Sequence, residues 1–344
     1  MTDLIVGGGA VGSFLGWALA SGGRDVAIVR RRLAGGPAPT DLVVLNPGGR
    51  RLTANVLEVS GPGELPGPPD LILFAVKMYD LSAAVAACAV WPGAPVLTIE
   101  NGIGAEQLAV GERPGGGVIA GSLTTAVEVG GSDEVRWLTR GGVGLAPVRG
   151  AVEPLIAELG RTFAASGLPV GRYRDPEAMK WSKLLGNLIA NATGALLDLG
   201  PVQIYGHPGL FAIEQGQLRE AIAVMRRLER RPVALPGADT RLLALAVGMP
   251  AALARPILRR VVSGARGGKD PSLRTHLETG TGPSEVEWLN GAVANAGLRV
   301  GVPTPINRRL TGLVLAAQAD PDRRSWFRGR PDRLLAAMAE DSTP

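Results

Sequence analysis

The first half of the chain alternates short apolar runs with helical periods. "DLIVGGG" reads as a strand running into a turn, and "AVGSFLGWALASGG" as a helix that stops at Gly22 and Gly23. "DVAIVRR" follows as a second strand, and "DLVVLN" and "RLTANVLEV" form a hairpin around "PGG". "PDLILFAVK" and "APVLTIENG" are almost wholly apolar, as parallel strands covered on both faces must be, with helical "LSAAVAACAVW" between them. "VIAGSLTTAVEV" and "EVRWLTRGGVGLA" are expected to pair across "GGSD", ahead of a helix, "VEPLIAELGRTFAASG", and a last strand, "PVGRY". This order predicts an α/β domain of βαβ units over 1–175.

After "RDPEA" the period becomes helical, broken by Pro and Gly loops, and no strand of any length is expected. A helical domain is predicted over 176–320, with 321–344 as a charged C-terminal tail that frays. One stretch in the helical half is unusual. "MKWSKLLGNLIANATGALLD" is apolar and small, yet Lys183, Asn187 and Asn191 interrupt it at a spacing of four. Read as one helix, it places the ammonium and the two amides in one narrow stripe. Each unpaired buried polar group would cost roughly 1–3 kcal/mol. The stripe therefore faces a polar cavity, or else it serves interdomain hydrogen bonds or an exposed face.

Composition narrows the function. At 344 residues, 46% apolar and 19% charged, the chain is long enough for two cores. The net charge of +5 is spread over short clusters such as "RRLERR" and "RRSWFRGRPDR", read as solvated faces or tail, with aromatics at only 4%. That is not the pattern of a nucleic-acid binder, although a positive field suits small anionic ligands. A single cysteine, Cys88, and two histidines, His207 and His276, leave no disulfide framework and no expected metal site. Both histidines are taken as loop residues. The longest apolar run carries Pro250, Arg255 and Pro256, so no membrane span is expected. The first strand begins within a few residues of Met1, which points to a cytoplasmic protein without a signal peptide.

"GGGAVG" supplies Gly7-x-Gly9-x-x-Gly12 directly after a strand and at the opening of a helix. Gly7 allows the tight turn, Gly9 lets backbone approach a pyrophosphate, and Gly12 allows close helix packing. The first helical residues, Ala10 and Val11, present the helix N-terminus to phosphate charge. The α/β half is therefore a Rossmann-like dinucleotide-binding domain. The second strand ends in Arg30, Arg31 and Arg32, with no carboxylate before Asp41. Guanidinium groups suit a 2′-phosphate, so NADP is preferred over NAD; any of Arg30, Arg31 and Arg32 could make the contact, Arg30 coming first. Lys77 and Asn101 end two later strands, where ligands of open α/β sheets sit.

Together these features resemble the ketopantoate reductase family, the NADPH-dependent 2-dehydropantoate 2-reductases. "GGGAVG", "AVK", "ENG", "KWSKLLGNLIAN", "DPSL", "SEVEWLNG" and "GVPTPIN" occur in the family's order. The resemblance implies a Rossmann domain and an all-helical C-terminal domain with the active site between them. It implies Lys183 and Glu285 as catalytic residues, with Asn187, Asn191 and Ser272 binding substrate. Lys77 and Asn101 line the nicotinamide end of the cofactor site, Asn101 also facing substrate. The implied reaction reduces 2-dehydropantoate to pantoate, a step of pantothenate and coenzyme A biosynthesis, with a small anionic 2-keto acid as partner and a homodimer as an option. Lys180, before Trp181, is assigned no chemistry. "MLQD", which commonly follows the serine, is absent here. Two alternatives stay open: a related NADP-dependent reductase of another 2-keto acid, and a non-catalytic NADP-binding regulatory protein.

Overall fold

The computed structural model describes residues 2–30, 36–130, 134–265, 273, 277 and 283–339. They form two compact units, one of the residues up to Lys180 with Leu235–Ala238, the other of the remainder. The division falls inside the helix Pro176–Leu188, a few residues past the boundary expected near 175.

The first unit is built on the most apolar strands. β1 (Thr2–Val6), β5 (Leu71–Phe74) and β6 (Val96–Thr98) lie side by side and parallel at its centre, almost wholly buried; β5 is apolar throughout, and the buried Asp3 of β1 is paired with Arg24. β2 (Asp25–Val29) pairs with the other edge of β1, followed by β4 (Arg51–Val59) and β3 (Ala38–Leu45). The hairpin read around "PGG" is present, with Leu45 opposite Arg51. On the far side stand β7 (Val118–Leu123), β10 (Val143–Arg149) and β11 (Val170–Arg172). α1 (Ala10–Ser21), α3 (Ala105–Glu112) and α4 (Glu153–Ala165) pack on this sheet, and α2 (Leu81–Ala87) packs on α3.

The expected pairing across "GGSD" is more divided than the pattern suggested. Each arm is two strands: β7 pairs with β10, while β8 (Val127–Val129) pairs with β9 (Glu134–Trp137) at the opposite end of the sheet order, beside β3. The arms part where they come closest. A Cβ at Gly141 would lie 2.4 Å from the Thr125 nitrogen, and Thr124 Oγ1 bonds the Gly142 and Pro236 carbonyls. The outer pair is held by aromatic packing, Trp137 standing edge-on to Phe14 of α1 at 5.3 Å between centroids.

The second unit is helical. α5 (Pro176–Leu188) runs into it, followed by α6 (Ala192–Leu197), α7 (Pro201–Gly206) and α8 (Pro208–Arg227). Among the described residues after Lys180 the only extended pieces are the two-residue arms Ala234–Leu235 and Ala238–Asp239, of which Leu235 and Ala238 belong to the first unit. α8 is the core helix, and His207 caps it, its Nδ1 accepting from the Leu210 N–H at 3.3 Å. α9 (Thr240–Gly248), α10 (Ala251–Ala265), α11 (Asn290–Val300) and α12 (Pro305–Ala319) complete the bundle. Among the described residues no helix is long and apolar enough to cross a membrane.

The segment read as a fraying tail is instead two helices, α13 (Pro321–Phe327) and α14 (Pro331–Ala339). Charge hid the signal. Asp320 caps α13 through the Asp322 and Arg323 N–H groups, and Phe327, Leu334 and Ala337 are buried. Phe327→Ala is expected to destabilise the protein by about 3–5 kcal/mol, the range for a buried phenylalanine, measured by urea denaturation. A wild-type midpoint would return this segment to the status of a tail.

Candidate active site

The glycine loop follows β1. Gly7 sits at φ +116, and a Cβ there would lie 2.5 Å from the Ala75 carbonyl oxygen; one at Gly12 would lie 1.8 Å from the Gly7 oxygen. Neither position admits a side chain. Gly9 is different: among the described residues a Cβ there meets nothing within 4 Å. Gly9 is the N-cap of α1 and gives it no side-chain cap, and no acidic residue occupies the first turn. The Ala10, Val11 and Gly12 N–H groups therefore point from an uncapped helix N-terminus beside an open cradle, which suits a pyrophosphate.

Arg30 leaves β2 at the rim of this loop, its Cγ 2.9 Å from where a Gly8 Cβ would stand. Its Nε lies 2.7 Å from Glu58 Oε1 on β4, close enough for charge pairing but misaligned as a hydrogen bond. Sequence reasoning missed Glu58, because it looked for a carboxylate only at the end of β2. Arg31 and Arg32 lie outside the described residues. On the other side of β1, Lys77 and Asn101 occupy matching positions, each three residues past the paired Phe74 and Thr98. Both are exposed. Asn101 is followed by Gly102 at φ +92, a left-handed turn that suits glycine.

Directly before Asn101 lies a cluster that the sequence did not announce. Lys180, set aside as a residue without chemistry, is only 4% exposed. Its Nζ donates to the Glu100 carbonyl at 2.7 Å and the Gly121 carbonyl at 3.3 Å, and it pairs with Glu106 Oε1 at 3.0 Å. These three acceptors match the three donors of an ammonium. Thr98 Oγ1 donates to the same Glu106 oxygen at 2.9 Å. Glu100 itself is buried, and among the described residues neither carboxyl oxygen meets a donor in good hydrogen-bond geometry. Burial pushes its pKa up to about 8; Lys180 pulls it down and Glu106 pushes it up. One cation shared by two carboxyls leaves the cluster neutral when Glu100 keeps its proton.

α5 carries the proposed catalytic side chains. Its leucines are buried, whereas Lys183, Gly186 and Asn187 are half-buried and share one face at three- and four-residue spacing. Among the described residues a Cβ at Gly186 would meet nothing within 4 Å, so with respect to them this face stands beside open space.

Asn191 does not continue the stripe. The helix ends at Leu188, Ala190 takes a left-handed φ of +47, and Asn191 becomes the N-cap position of α6. Three non-helical residues remove it from the line that a spacing of four implies. It is 3% exposed, and its Oδ1 accepts from the Leu273 N–H at 3.3 Å. Ser272 and His276 lie outside the described residues. Glu285 is buried at the start of a short 3-10 turn, Glu285–Trp288, capped by Ser284. Beside that turn a buried amide network joins Asn290, Gln217 and Asn307 at 2.8–2.9 Å.

The protonation of Glu100 gives a stability test. From the usual glutamate value of 4.5 up to about 8, the folded protein holds a proton that the unfolded chain has released. Stability therefore falls as pH rises through this window, by up to about 1.4 kcal/mol per pH unit from this group. Glu100→Gln is expected to flatten the melting temperature profile between pH 5 and 8 and to raise stability at pH 8. Parallel wild-type and variant profiles would mean that Glu100 is ionised throughout. Lys180→Ala is expected to unfold this region, because it leaves the buried Glu106 carboxylate without its cation.

Comparison with known proteins gives the family. The family described as ketopantoate reductase PanE/ApbA matches residues 4–150, and its C-terminal counterpart matches 175–318. A 2-dehydropantoate 2-reductase of Halobacterium salinarum is 26% identical over 93% of this chain and 100% of its own. A PanE/ApbA family ketopantoate reductase from Ralstonia eutropha is similar in structure, with TM-score 0.74 and 26% identity over 94% of this chain and 100% of its own. A D-mandelate dehydrogenase solved with NADH and anilino(oxo)acetate shares the fold, with TM-score 0.73 and 19% identity over 93% of this chain and 99% of its own. With a dinucleotide-type glycine loop in one unit, a lysine–asparagine face in the other, and family matches over both, the chain belongs to the ketopantoate reductase family of oxidoreductases.

Proposed function

We propose that this protein reduces a small 2-keto acid with NADPH, and that the acid is 2-dehydropantoate. The observation that carries the reading is the α5 face on which Lys183 and Asn187 stand half-buried beside open space, in a helix whose leucines are otherwise core. Such a face, an ammonium and an amide beside open space, suits an anionic, carbonyl-bearing ligand.

The glycine loop and the amides of Ala10, Val11 and Gly12 hold the pyrophosphate, and Lys77 and Asn101 flank the nicotinamide end. NADPH, when bound, supplies the hydride. The residues of this chain provide orientation and charge. Lys183 stabilises the negative charge that develops on the ketone oxygen and gives that oxygen its proton. Asn187 and Asn191 hold the hydroxyl and carbonyl groups of the substrate. Ser272 bonds its hydroxyl or carboxylate, and Glu285 keeps the site oriented.

Cofactor choice rests on Arg30. Its pairing with Glu58 orients the guanidinium at the loop rim while diminishing its net charge. NADPH is expected to bind about tenfold tighter than NADH, ~1.4 kcal/mol, by titration calorimetry. Arg30→Glu should erase that preference; equal affinities in the wild type would refute the NADP reading. Substrate choice is tested by following NADPH oxidation at about 340 nm with 2-dehydropantoate and a panel of other 2-keto acids, since reduced nicotinamide alone absorbs there. The highest kcat/KM is expected for 2-dehydropantoate. A higher value for an aryl keto acid would move the assignment to another reductase, and no turnover with any would favour a regulatory binder.

A further inference from the structure

Glu214 has no role in the reaction proposed above, yet it is a carboxylate with no exposed surface on the core helix α8. Three donors converge on it. The Ala190 N–H lies 2.7 Å from Oε2, Thr193 Oγ1 lies 2.7 Å from Oε1, and the Tyr205 hydroxyl lies 3.2 Å from Oε2. We propose that Glu214 is a positioning residue: it fixes the break between α5 and α6 and so sets the places of Asn187 and Asn191, the two amides assigned to the keto acid.

The break needs such a device. In an unbroken helix the Ala190 N–H would bond the carbonyl four residues back. At φ +47 it leaves that ladder, in a conformation that costs a non-glycine residue roughly 1–2 kcal/mol. The freed N–H is buried, so without an acceptor the break would be still more costly. A carboxylate is the strongest acceptor that a side chain can offer it. The opposite need is met one turn later on α8. Gln217, three residues after Glu214, donates its Nε2 to the Leu188 carbonyl at the end of α5, at 3.2 Å. One face of α8 thus presents an acceptor to the N–H side of the break and a donor to its C=O side.

The consequence reaches both amides. Asn187 keeps its place on the last turn of α5, beside the open face at Gly186. Asn191 is displaced from that line and capped onto the Leu273 N–H, next in sequence to Ser272. A helix continued through Ala190 would return Asn191 to the Lys183 stripe and take it from this contact.

The proposal rests on the reading that Asn187 and Asn191 bind the keto acid, and the experiment separates the two. Glu214→Gln keeps the shape but turns one acceptor oxygen into a donor facing an N–H or a hydroxyl. With the best keto acid of the panel, KM is expected to rise about tenfold, with the NADPH dissociation constant unchanged within about twofold and kcat affected less than KM. Adding Ala190→Gly, which takes φ +47 without strain, is expected to restore about a third or more of the loss. If Glu214→Gln does not fold, Thr193→Val takes its place, removing one donor and raising KM about threefold. An unchanged KM would overturn the proposal. So would a loss in which KM, kcat and NADPH affinity decline together without rescue, since that is the mark of general unfolding. Asn187→Ala and Asn191→Ala are measured alongside. If both leave KM unchanged, the substrate reading fails and takes the proposal with it. If they raise KM while Glu214→Gln does not, the proposal alone fails.

Discussion

A polar group can be buried on a helix only where something replaces the water it gives up, and α5 is organised by that requirement. Lys180, at its start, is enclosed by two carbonyls and the Glu106 carboxylate. Ser182 accepts from the Val233 N–H at 2.8 Å. The Leu188 carbonyl and the Ala190 N–H, released where the helix stops, are met by Gln217 and Glu214. On the same helix Lys183, Gly186 and Asn187 lie half-buried on one face, beside open space among the described residues.

The same requirement explains the acid beneath Asn101. Lys180 cannot neutralise two carboxylates at once, and Glu106 has the better claim, with Thr98 as a second partner. Glu100 is left buried, its oxygens meeting no well-aligned donor among the described residues, and holds its proton into the neutral range. The turn that carries Asn101 is thus tied to the start of α5 through a backbone carbonyl and a cluster without net charge. A residue that looks dispensable in sequence, one before Trp181, is the cation on which this arrangement depends.

Much of this was legible from periodicity and glycine placement. The strands of the first unit, its hairpin, the helix opening at Ala10 and the different roles of Gly7, Gly9 and Gly12 follow from local rules. The features that were not legible are tertiary. Nothing local distinguishes Ala190 from its neighbours, since its left-handed turn is stabilised by Glu214 from another helix; the spacing of four among Lys183, Asn187 and Asn191 therefore suggested one stripe where there are two structures. Lys180 and Glu100 are polar residues whose burial depends on chains far apart in sequence. Glu58 lies two strands from β1, outside the place where a cofactor-selecting carboxylate is sought. In the final helices, abundant arginines masked a sparse apolar set, Phe327, Leu334 and Ala337.

The central claim is that the ammonium of Lys183 supplies the proton and the charge stabilisation for carbonyl reduction. Single-turnover stopped-flow with preformed enzyme–NADPH complex tests it directly, because it isolates the hydride-transfer step from binding and release. Lys183→Ala is expected to slow that step by about 10²–10⁴-fold while leaving NADPH affinity nearly unchanged, the range for removal of a general acid. A variant that transfers hydride at the wild-type rate would contradict the account, and would return the polar face of α5 to a structural feature.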